Sequence, residues 1–409
     1  MHPRTVRRLD RWLGQPIAAF LSLLCRIRRC LPFRSRLDEP PRKILFVKLI
    51  EMGSTVLAHR AFAAAAEIVG RDNVYIAVFE ANRPIADIME LVPAGNVIAI
   101  RDHNPFVLVL DMLRAFRRTR RLGIDTAIDM EGFARASAIF AVLCGARRRV
   151  GLHRFTSEGP YRGRLMTHRV QYNFYLHTNI GFLALVEALK HPPGQVPLLK
   201  HRMPEPDDYP PPFEPDPSEL TAVQQRLNDL AGRTIERPIV ILNPNASDLL
   251  PLRRWPTERF IELGRRLLAE RDDLTVVITG APSEQAAALE IARAIDPDRA
   301  LCMAGHTTLR ELLGLYHLVD VLVTNDSGPA HFAALTPVHV ICLFGPETPV
   351  LYGPLTPRCD SVTSGLACSP CVNVYNHRDS PCTDNLCMQA ISVDDILPLV
   401  TRVLDARPS

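Results

Sequence analysis

A short stretch of the chain combines residue types that suit the binding of a phosphate group. It reads Asp326-Ser-Gly-Pro-Ala-His331 and follows the apolar run Asp320–Thr324. The apolar run predicts a buried strand, and the residues from Ala330 onward predict a helix. Backbone N–H groups at such a strand-to-helix turn bind anions, and a glycine lets the backbone approach the anion closely. We therefore predict an anion site formed by Asp326, Ser327, Gly328 and His331.

Three more loops that follow predicted strands carry groups suited to a nucleoside diphosphate. The first leads to Arg253 and Arg254, either of which can neutralise a diphosphate. The second carries Glu284, whose carboxylate could accept hydrogen bonds from ribose hydroxyls. The third is Gly345–Thr348. The predicted nucleotide site thus also includes Asn245, Ser247, Arg253, Arg254, Gly280 and Glu284.

Each of these residues also has an ordinary structural explanation. Arg254 could stack on Trp255 at the surface, and Glu284 could favour the dipole of the helix that it opens. His331 could be a core histidine, and Asp326 could cap a helix. We favour the binding site because all of these residues fall where the strands of one sheet would end.

Motifs and charge exclude several classes of protein. The chain has no GxGxxG after its first strand and no GxxxxGK[ST], which are typical of dinucleotide-dependent dehydrogenases and P-loop kinases. The net charge of +4 is unevenly distributed along the chain, because residues 1–36 carry +8 and the remaining residues carry −4. The body of the protein is therefore not a nucleic-acid binder by charge.

Apolar strands alternate with helices in two sets, separated by a proline-rich stretch at 191–217. Such alternation predicts an α/β fold with two doubly wound parallel-sheet domains that face a cleft. We assign the N-terminal domain to residues 41–190, the linker to 191–217 and the C-terminal domain to 218–409. Ligands bind at the carboxyl edges of such sheets.

Residues 1–40 form a basic arm with a nine-residue apolar run, Ile17–Cys25, which is too short to span a bilayer. The run lacks the small-residue cleavage site of a signal peptide. We predict a helix in the membrane interface, with arginines on anionic headgroups. The alternative is a helix that packs on the protein body. The residues expected in lipid are Trp12, Ile17, Phe20, Leu21 and Leu24.

The motifs together resemble glycosyltransferase family 9, the heptosyltransferases of lipopolysaccharide and related surface-polysaccharide synthesis. The resemblance covers residues 42–404 and rests on Lys48 with Met52-Gly53, Arg254-Trp-Pro256, Thr279–Glu284 and, above all, Thr324–His331. It implies a GT-B fold and an inverting transfer without a metal, typically from ADP-heptose. It also implies that Arg253 and the Asp326–His331 loop hold the diphosphate and Glu284 the ribose.

One departure from the family pattern concerns the catalytic base. Family members usually carry Asp in the loop after the first strand, but Ser54 stands there in this chain. Glu51 lies in the same loop and is the base that we predict, with Asp129 as a second candidate. The alternatives are a non-catalytic nucleotide-sugar-binding protein of the same pathway and a GT-B nucleotide-sugar epimerase. The residues expected to bind the acceptor are Lys48, Gly53, Ser54 and Arg135.

The expected partners are a nucleotide-diphosphate sugar, a lipid-linked or core saccharide and the cytoplasmic face of a bacterial inner membrane; nucleic acid is not expected. No cofactor is expected. The spacing of four late cysteines, with His377 between them, loosely fits a zinc ribbon. A structural zinc, one or two disulfides and a packed thiol-rich loop are all compatible with it, and we favour the loop. The four cysteines are Cys368, Cys371, Cys382 and Cys387.

Overall fold

The computed structural model describes residues 10–30, 37, 39–155, 161–204, 209–376 and 378–406. The chain divides into two compact units. The first comprises Met1–Asp208 together with the short segment Asn373–Arg378, and the second comprises Tyr209–Val372 and Asp379–Ser409. The division at residue 208 falls inside the proline-rich stretch. The inclusion of Asn373–Arg378 in the first unit has no counterpart in the sequence interpretation.

A six-stranded parallel sheet forms the centre of the first unit, in the order β3-β2-β1-β4-β5-β6. Its strands are β1 (Ile44–Val47), β2 (Val74–Phe79), β3 (Val97–Ile100), β4 (Thr126–Asp129), β5 (Arg148–His153) and β6 (His168–Gln171). Its helices are α1 (Gln15–Cys30), α2 (Met52–Val56), α3 (His59–Val69), α4 (Arg83–Ile88), α5 (Pro105–Leu122), α6 (Arg135–Leu143) and α7 (Thr178–Glu187).

The second unit repeats this topology with the order β12-β11-β10-β7-β8-β9, again all parallel. Its strands are β7 (Ile239–Asn243), β8 (Thr275–Ile278), β9 (Ala300–Cys302), β10 (Val321–Asn325), β11 (His339–Phe344) and β12 (Cys359–Thr363). Its helices are α8 (Pro217–Ala231), α9 (Thr257–Glu270), α10 (Gln285–Ile295), α11 (Leu309–Leu318), α12 (Gly328–Ala333), α13 (Pro349–Tyr352), α14 (Leu386–Gln389) and α15 (Val393–Asp405). The predicted pair of doubly wound parallel-sheet domains is confirmed.

Local sequence signals set several helix boundaries. Before α5, the side chain of Asn104 accepts a hydrogen bond from the Phe106 N–H at 2.8 Å, and Gly123 ends the helix with φ 71°. Before α11, Thr308 and Glu311 cap each other, since the Thr308 N–H donates to Glu311 Oε2 at 2.8 Å. These are the capping patterns expected from side-chain chemistry at helix ends.

The N-terminal helix α1 packs on the first unit with one face and exposes the other. Ala18 is fully buried in the cluster that covers one side of the sheet, and Ser22 Oγ accepts a hydrogen bond from the Arg164 N–H at 2.9 Å. Leu21 packs against the same cluster, so its predicted position in lipid is wrong: it lies on the inward face. Trp12, Ile17, Phe20 and Leu24 are exposed. No helix in the described part of the chain has the length and apolarity needed to cross a bilayer.

Candidate functional site

The predicted nucleotide-binding loops leave one edge of the second sheet. The chain order of the sheet reverses between β7 and β10, which lie side by side. Because every pairing in this sheet is parallel, the loops after β7, β8, β10 and β11 emerge at the same carboxyl edge. A reversal point of this kind is where open α/β sheets bind ligands.

Asn325 joins two of these loops at the end of β10. Its side chain is fully buried, and its Oδ1 accepts the Trp255 N–H at 3.0 Å. Its Nδ2 donates to the carbonyl oxygens of Pro244 at 3.0 Å and Asn245 at 3.2 Å. One amide therefore fixes the loop after β7 and the Arg-Trp-Pro segment relative to the strand.

Arg253 lies between two buried carboxylates. Its Nη1 is 3.4 Å from Glu347 Oε2 and 3.8 Å from Asp326 Oδ2. The side chain of Arg253 is 12% exposed, whereas Asp326 and Glu347 are almost fully buried. Arg253 thus keeps a small accessible area next to the Asp326 loop, where a cation can meet a phosphate. Asp326 forms an ion pair with Arg253, an interaction that the sequence analysis did not consider.

Arg254 braces the loop after β7. Its guanidinium donates to the Ala246 carbonyl at 3.1 and 2.8 Å and to Asp248 Oδ1 at 2.5 Å. Trp255 lies in the core with 1% exposure and packs edge-on against Phe260. These contacts make Arg254 a support of the loop.

A close approach around Gly280 brings two other predicted residues together. A Cβ atom at Gly280 would lie 2.7 Å from Asn245 Nδ2 and 3.1 Å from Glu284 Oε2, so only glycine fits there without a shift. Glu284 Oε2 accepts the Ala281 N–H at 2.7 Å, which is the helix-start role considered above. Ser247 Oγ accepts the Leu249 N–H at 3.2 Å and so shapes the preceding loop.

The loop after β10 enters a short helix, α12, which begins at Gly328, two residues before the predicted start. Ser327 precedes it with extended backbone, and Ser327 Oγ lies 3.5 Å from Thr324 Oγ1. A Cβ atom at Gly328 would lie 3.1 Å from the Phe332 ring, so a larger residue would push against that ring. His331 is buried, with 6% exposure. Because α12 has six residues, its contribution to anion binding would come from N–H groups more than from a helix dipole.

The predicted base lies at the corresponding reversal point of the first sheet, between β1 and β4. Glu51 follows β1 and has φ 65°, in the left-handed region that non-glycine residues rarely adopt. Its carboxylate forms an ion pair with Arg378 and accepts a hydrogen bond from Ser54 Oγ at 3.3 Å. Such backbone strain is concentrated at functional sites. Ser54, the residue in place of the usual Asp, thus orients Glu51.

A buried pair of opposite charges supports this loop from β4. Lys48 Nζ lies 3.3 Å from Glu131 Oε1, and the same oxygen accepts the Ile50 N–H at 3.0 Å. Burial raises the pKa of the Glu131 carboxyl above its ordinary value, against the opposing effect of Lys48. Lys48 is only 1% exposed, and its ion pair with Glu131 holds the ammonium group inside the protein. Gly53, which follows the Glu51 loop, is buried in α2.

The remaining predicted residues of the first unit have structural partners. Asp129 is fully buried and forms an ion pair with Arg162, so it is less accessible than Glu51. Arg135 pairs with Asp10 Oδ2 at 2.6 Å and donates to the Tyr161 carbonyl at 2.8 Å. In this arrangement Arg135 attaches the N-terminal turn, Asp10–Gly14, to α6.

Sequence reasoning missed four charged residues that surround the predicted ones. Glu131 and Glu347 follow the carboxyl ends of β4 and β11, and polar residues directly after a predicted strand are a signal that sequence reasoning can use. The other two reach the site from distant segments and have no local signal. The four residues are Glu131, Glu347, Arg162 and Arg378.

The structure assigns no disulfide to any cysteine that it describes, the four late ones included. Cys387 is buried, whereas Cys368 and Cys382 are exposed. His377 lies outside the described residues, and a structural zinc stays an untested alternative. Elsewhere, Glu187, His191 and His201 bring potential ligand atoms within 4.8 Å of one another, but Glu187 already pairs with Lys190 at 2.8 Å.

Comparison with known proteins finds heptosyltransferases similar to this chain in sequence and in fold. The chain is 29% identical over 165 residues to lipooligosaccharide heptosyltransferase 2 of Haemophilus influenzae, covering 39% of this chain and 47% of that protein. The match thus spans about half the length of that relative. The structure of E. coli ADP-heptose lps heptosyltransferase II superimposes with a TM-score of 0.65 at 20% identity, over 88% of this chain and 98% of that one.

A second similar structure, E. coli heptosyltransferase WaaC with ADP, has a TM-score of 0.60 at 15% identity and covers 88% of this chain and 99% of that chain. At such identities the likeness shows the fold, which is GT-B. The model of glycosyltransferase family 9 (heptosyltransferase) matches residues 112–379, about two thirds of the sequence. The chain belongs to glycosyltransferase family 9.

Proposed function

We propose that this protein is an inverting, metal-independent glycosyltransferase. It would move a heptose-like sugar from a nucleotide-diphosphate donor, with ADP-heptose as the first choice, to a lipopolysaccharide-core or other surface-polysaccharide acceptor. One observation carries the proposal: in a member of family 9, the carboxyl edge of the second sheet gathers Arg253, Glu284 and the Asp326–His331 loop at the reversal point.

The donor would bind through its diphosphate. Arg253 supplies a positive charge next to the N–H groups of the loop that begins at Asp326. A guanidinium can contact two phosphate oxygens, and its charge would stabilise the diphosphate as it leaves. Glu284 and Asn245, which meet across Gly280, would face the nucleoside. The preference for ADP follows from the relatives, one of which was solved with ADP.

The transfer needs a base for the acceptor hydroxyl, and we assign this role to Glu51. The hydroxyl oxygen would form a bond to the anomeric carbon while the bond from that carbon to the diphosphate breaks. The proton would pass to the Glu51 carboxylate, and the nucleoside diphosphate would leave with the electron pair. Attack opposite the leaving group inverts the anomeric centre. A general base of this kind contributes about 10²–10⁴ in rate.

The acceptor would be carried by a membrane, and the N-terminal arm would keep the enzyme at the cytoplasmic face of that membrane. The support is the exposed apolar side chains of α1 and of the turn before it, where Phe20 is 61% and Trp12 76% exposed, respectively. Aromatic and aliphatic side chains on an outward helix face, next to arginines, suit the interface of an anionic bilayer.

Binding of the donor is tested first, by thermal unfolding of the protein with ADP-, UDP-, GDP- and CMP-sugars. A sugar nucleotide at 100 times its Kd should stabilise the protein by about 2.7 kcal/mol. We expect the ADP-sugar to give the largest shift. No shift with any of the four would contradict the proposal.

Transfer is tested with the Glu51→Gln variant, using Glu67→Gln on the exposed side of α3 as the matched control. We expect turnover to fall about 10²–10⁴-fold in the first variant and to stay unchanged in the second. A loss of less than about tenfold would show that Glu51 is not the base. Donor binding without transfer to any acceptor would indicate a binding protein, and conversion of the donor without an acceptor would indicate an epimerase.

A further inference from the structure

Large apolar side chains are exposed unevenly over this protein. Of the 21 exposed ones among the described residues, eleven lie on two segments of the first unit. Seven belong to the N-terminal turn and α1. The other four belong to α5 and are exposed by 87%, 60%, 47% and 54%: Phe106, Val109, Leu110 and Leu113.

The four α5 residues form one stripe that does not pack on the protein. Their spacing of three, four and seven positions places them on one face of a helix. The opposite face carries Asp111, Ala115 and Thr119, which are buried. Polar residues would be expected on the outward face of an ordinary surface helix. The apolar stripe therefore needs a partner outside this unit.

The outward face of α5 changes character along its length. After Leu113 its exposed positions are all arginines: Arg114, Arg117, Arg118, Arg120 and Arg121. The single acidic residue of the helix, Asp111, is buried and engaged by Arg101 at 2.7 Å and Arg114 at 3.0 Å. The face thus offers two apolar turns followed by two cationic turns.

Helices α1 and α5 lie on the same side of the first sheet. Ala18 of α1 and Leu108, Met112 and Phe116 of α5 belong to the cluster that covers this side. Helix α6 contacts both α1 and α5. Helix α1 packs on it, and the ring of Phe116 in α5 lies 5.1 Å from the ring of Phe140 in α6. Their outward faces therefore point away from the sheet in the same general direction.

We propose that the outward face of α5 inserts into an anionic bilayer together with α1. This inference rests on the membrane association proposed above and adds a second contact to it. Phe106, Val109, Leu110 and Leu113 would enter the boundary between headgroups and acyl chains, and the arginines would contact anionic headgroups. A second copy of the chain fits this face less well, because two arginine-rich faces repel each other.

Two contacts would orient the first unit. A single interfacial helix leaves a protein free to rotate about that helix, whereas two helices on one side of a sheet define a plane. The first unit would then meet the membrane with the side that carries α1, α5 and α6. An acceptor embedded in the same membrane would reach the protein in one orientation.

The test is co-sedimentation of the full-length protein with vesicles of phosphatidylcholine alone or with 40% phosphatidylglycerol. We expect Phe106→Ser/Leu110→Ser to lower partitioning into the anionic vesicles at least about tenfold, because each side chain loses its transfer free energy. The control, Leu230→Ser/Leu289→Ser, removes two exposed apolar side chains of the second unit and should change partitioning less than twofold. Unchanged partitioning of the α5 variant, or an equal loss in the control, would overturn the proposal.

A second measurement reports insertion directly. The chain has two tryptophans, Trp12 and the buried Trp255. In the variant Trp12→Phe/Val109→Trp, the exposed tryptophan lies on α5, and we expect brominated lipids to quench its emission. Absence of quenching would refute insertion of α5. If Phe106→Ser/Leu110→Ser instead dissociates a dimer seen without vesicles, the face binds a second copy and the lipid assignment is wrong.

These outcomes separate the α5 contact from the proposed function. Sugar-nucleotide binding is measured in the same protein samples by thermal unfolding, and the α5 variant should keep it. Failure of nucleotide binding in the wild-type protein would reject the proposed function whatever the vesicles show. Normal nucleotide binding with no effect of the α5 variant on partitioning would reject only the α5 contact.

Discussion

Arg378 forms an ion pair with Glu51, although 327 positions separate the two residues in the sequence. Arg378 belongs to the segment Asn373–Arg378, which is part of the first unit. In this segment, Tyr375 stacks on Phe133 with 5.3 Å between ring centroids. Val374 of the same segment packs against Gly132, which has φ +53°. A Cβ atom on Gly132 would lie only 2.7 Å from Val374 Cγ1. The C-terminal half of the chain thus supplies a cation to the loop of the predicted base.

The Arg378 contact predicts that this residue positions Glu51. Arg378 holds Oε1 of the carboxylate, while Ser54 Oγ lies 3.3 Å from Oε2. Replacing Arg378 with Gln should leave the carboxylate free to rotate and lower kcat by about ten- to a hundredfold, because small errors in geometry cost that much. Steady-state kinetics with saturating donor would measure the effect.

The matched variant Arg378→Lys keeps the charge and should recover part of the lost kcat. Donor KM should change less than about twofold in both variants, since Arg378 does not belong to the predicted nucleotide loops. If donor KM rises while kcat stays constant, Arg378 acts in binding and the positioning role is wrong.

The sequence predicts the central strands and the broad fold well, but only one of the four edge strands, β3. Three strands have no sequence prediction, β6, β9 and β12, and all three are edge strands. Edge strands are short and half exposed, as in Cys359–Thr363, so they lack the apolar run that marks a buried strand. Helix α7 is also missed, because it is apolar on nearly all sides and has no amphipathic period.

At the site, local motifs predict the loops but not their partners. Asp326 and Arg253 are visible in the sequence because each follows a predicted strand or belongs to a family motif. Their connection through Glu347 depends on which strands lie side by side. The pairing of β1 with β4 likewise brings Lys48 and Glu131 together from 83 positions apart. Such contacts depend on topology, which a single sequence does not contain.

Arg253 should serve both stability and donor binding. The variant Arg253→Gln removes the cation that Asp326 and Glu347 face at 3.8 and 3.4 Å. Loss of one partner from a buried ion pair costs about 3–5 kcal/mol, so we expect a loss of about 3 kcal/mol in urea unfolding. Affinity for the sugar nucleotide, measured by calorimetry, should fall at least about tenfold.

The double variant Arg253→Gln/Glu347→Gln separates these two effects. Removing one buried carboxylate relieves the repulsion, so stability should recover by roughly half of the loss. Donor affinity should stay low, because the cation is still missing. Recovery of both quantities in the double variant would mean that Arg253 has only a structural role.

Replacing Asn325 by a charged residue of the same size should destabilise the protein more than truncating its side chain. In Asn325→Asp, a carboxylate oxygen would replace the Nδ2 group that donates to the Pro244 and Asn245 carbonyls. Facing two carbonyl oxygens with a buried anion should destabilise the protein by about 3 kcal/mol or more, against about 2 kcal/mol for Asn325→Ala. Chemical unfolding at pH 7 would compare the two. Equal losses, or a more stable Asp variant, would contradict the assigned hydrogen bonds.

His168 should make the stability of the first unit depend on pH. The side chain is buried at the start of β6, with Nδ1 2.9 Å from Thr167 Oγ1. Burial lowers the pKa of His168 to about 4, and the charges of Arg148 and Arg149 add to the effect. In the unfolded chain a histidine titrates near pH 6.5. Between these values the unfolded chain binds a proton that the folded protein does not.

Stability from neutral His168 is thus fully present above about pH 6.5 and is lost as the pH falls toward about 4. Between pH 7 and pH 5 the loss is at most about 2 kcal/mol. His168→Gln cannot take up the proton, so the difference in unfolding free energy between wild type and variant should shrink by up to about that amount over this range. His103→Gln, at an exposed position, is the control for a His-to-Gln substitution outside the core. Urea unfolding at both pH values measures the difference, and a constant gap for His168→Gln would show that the folded protein also protonates this histidine.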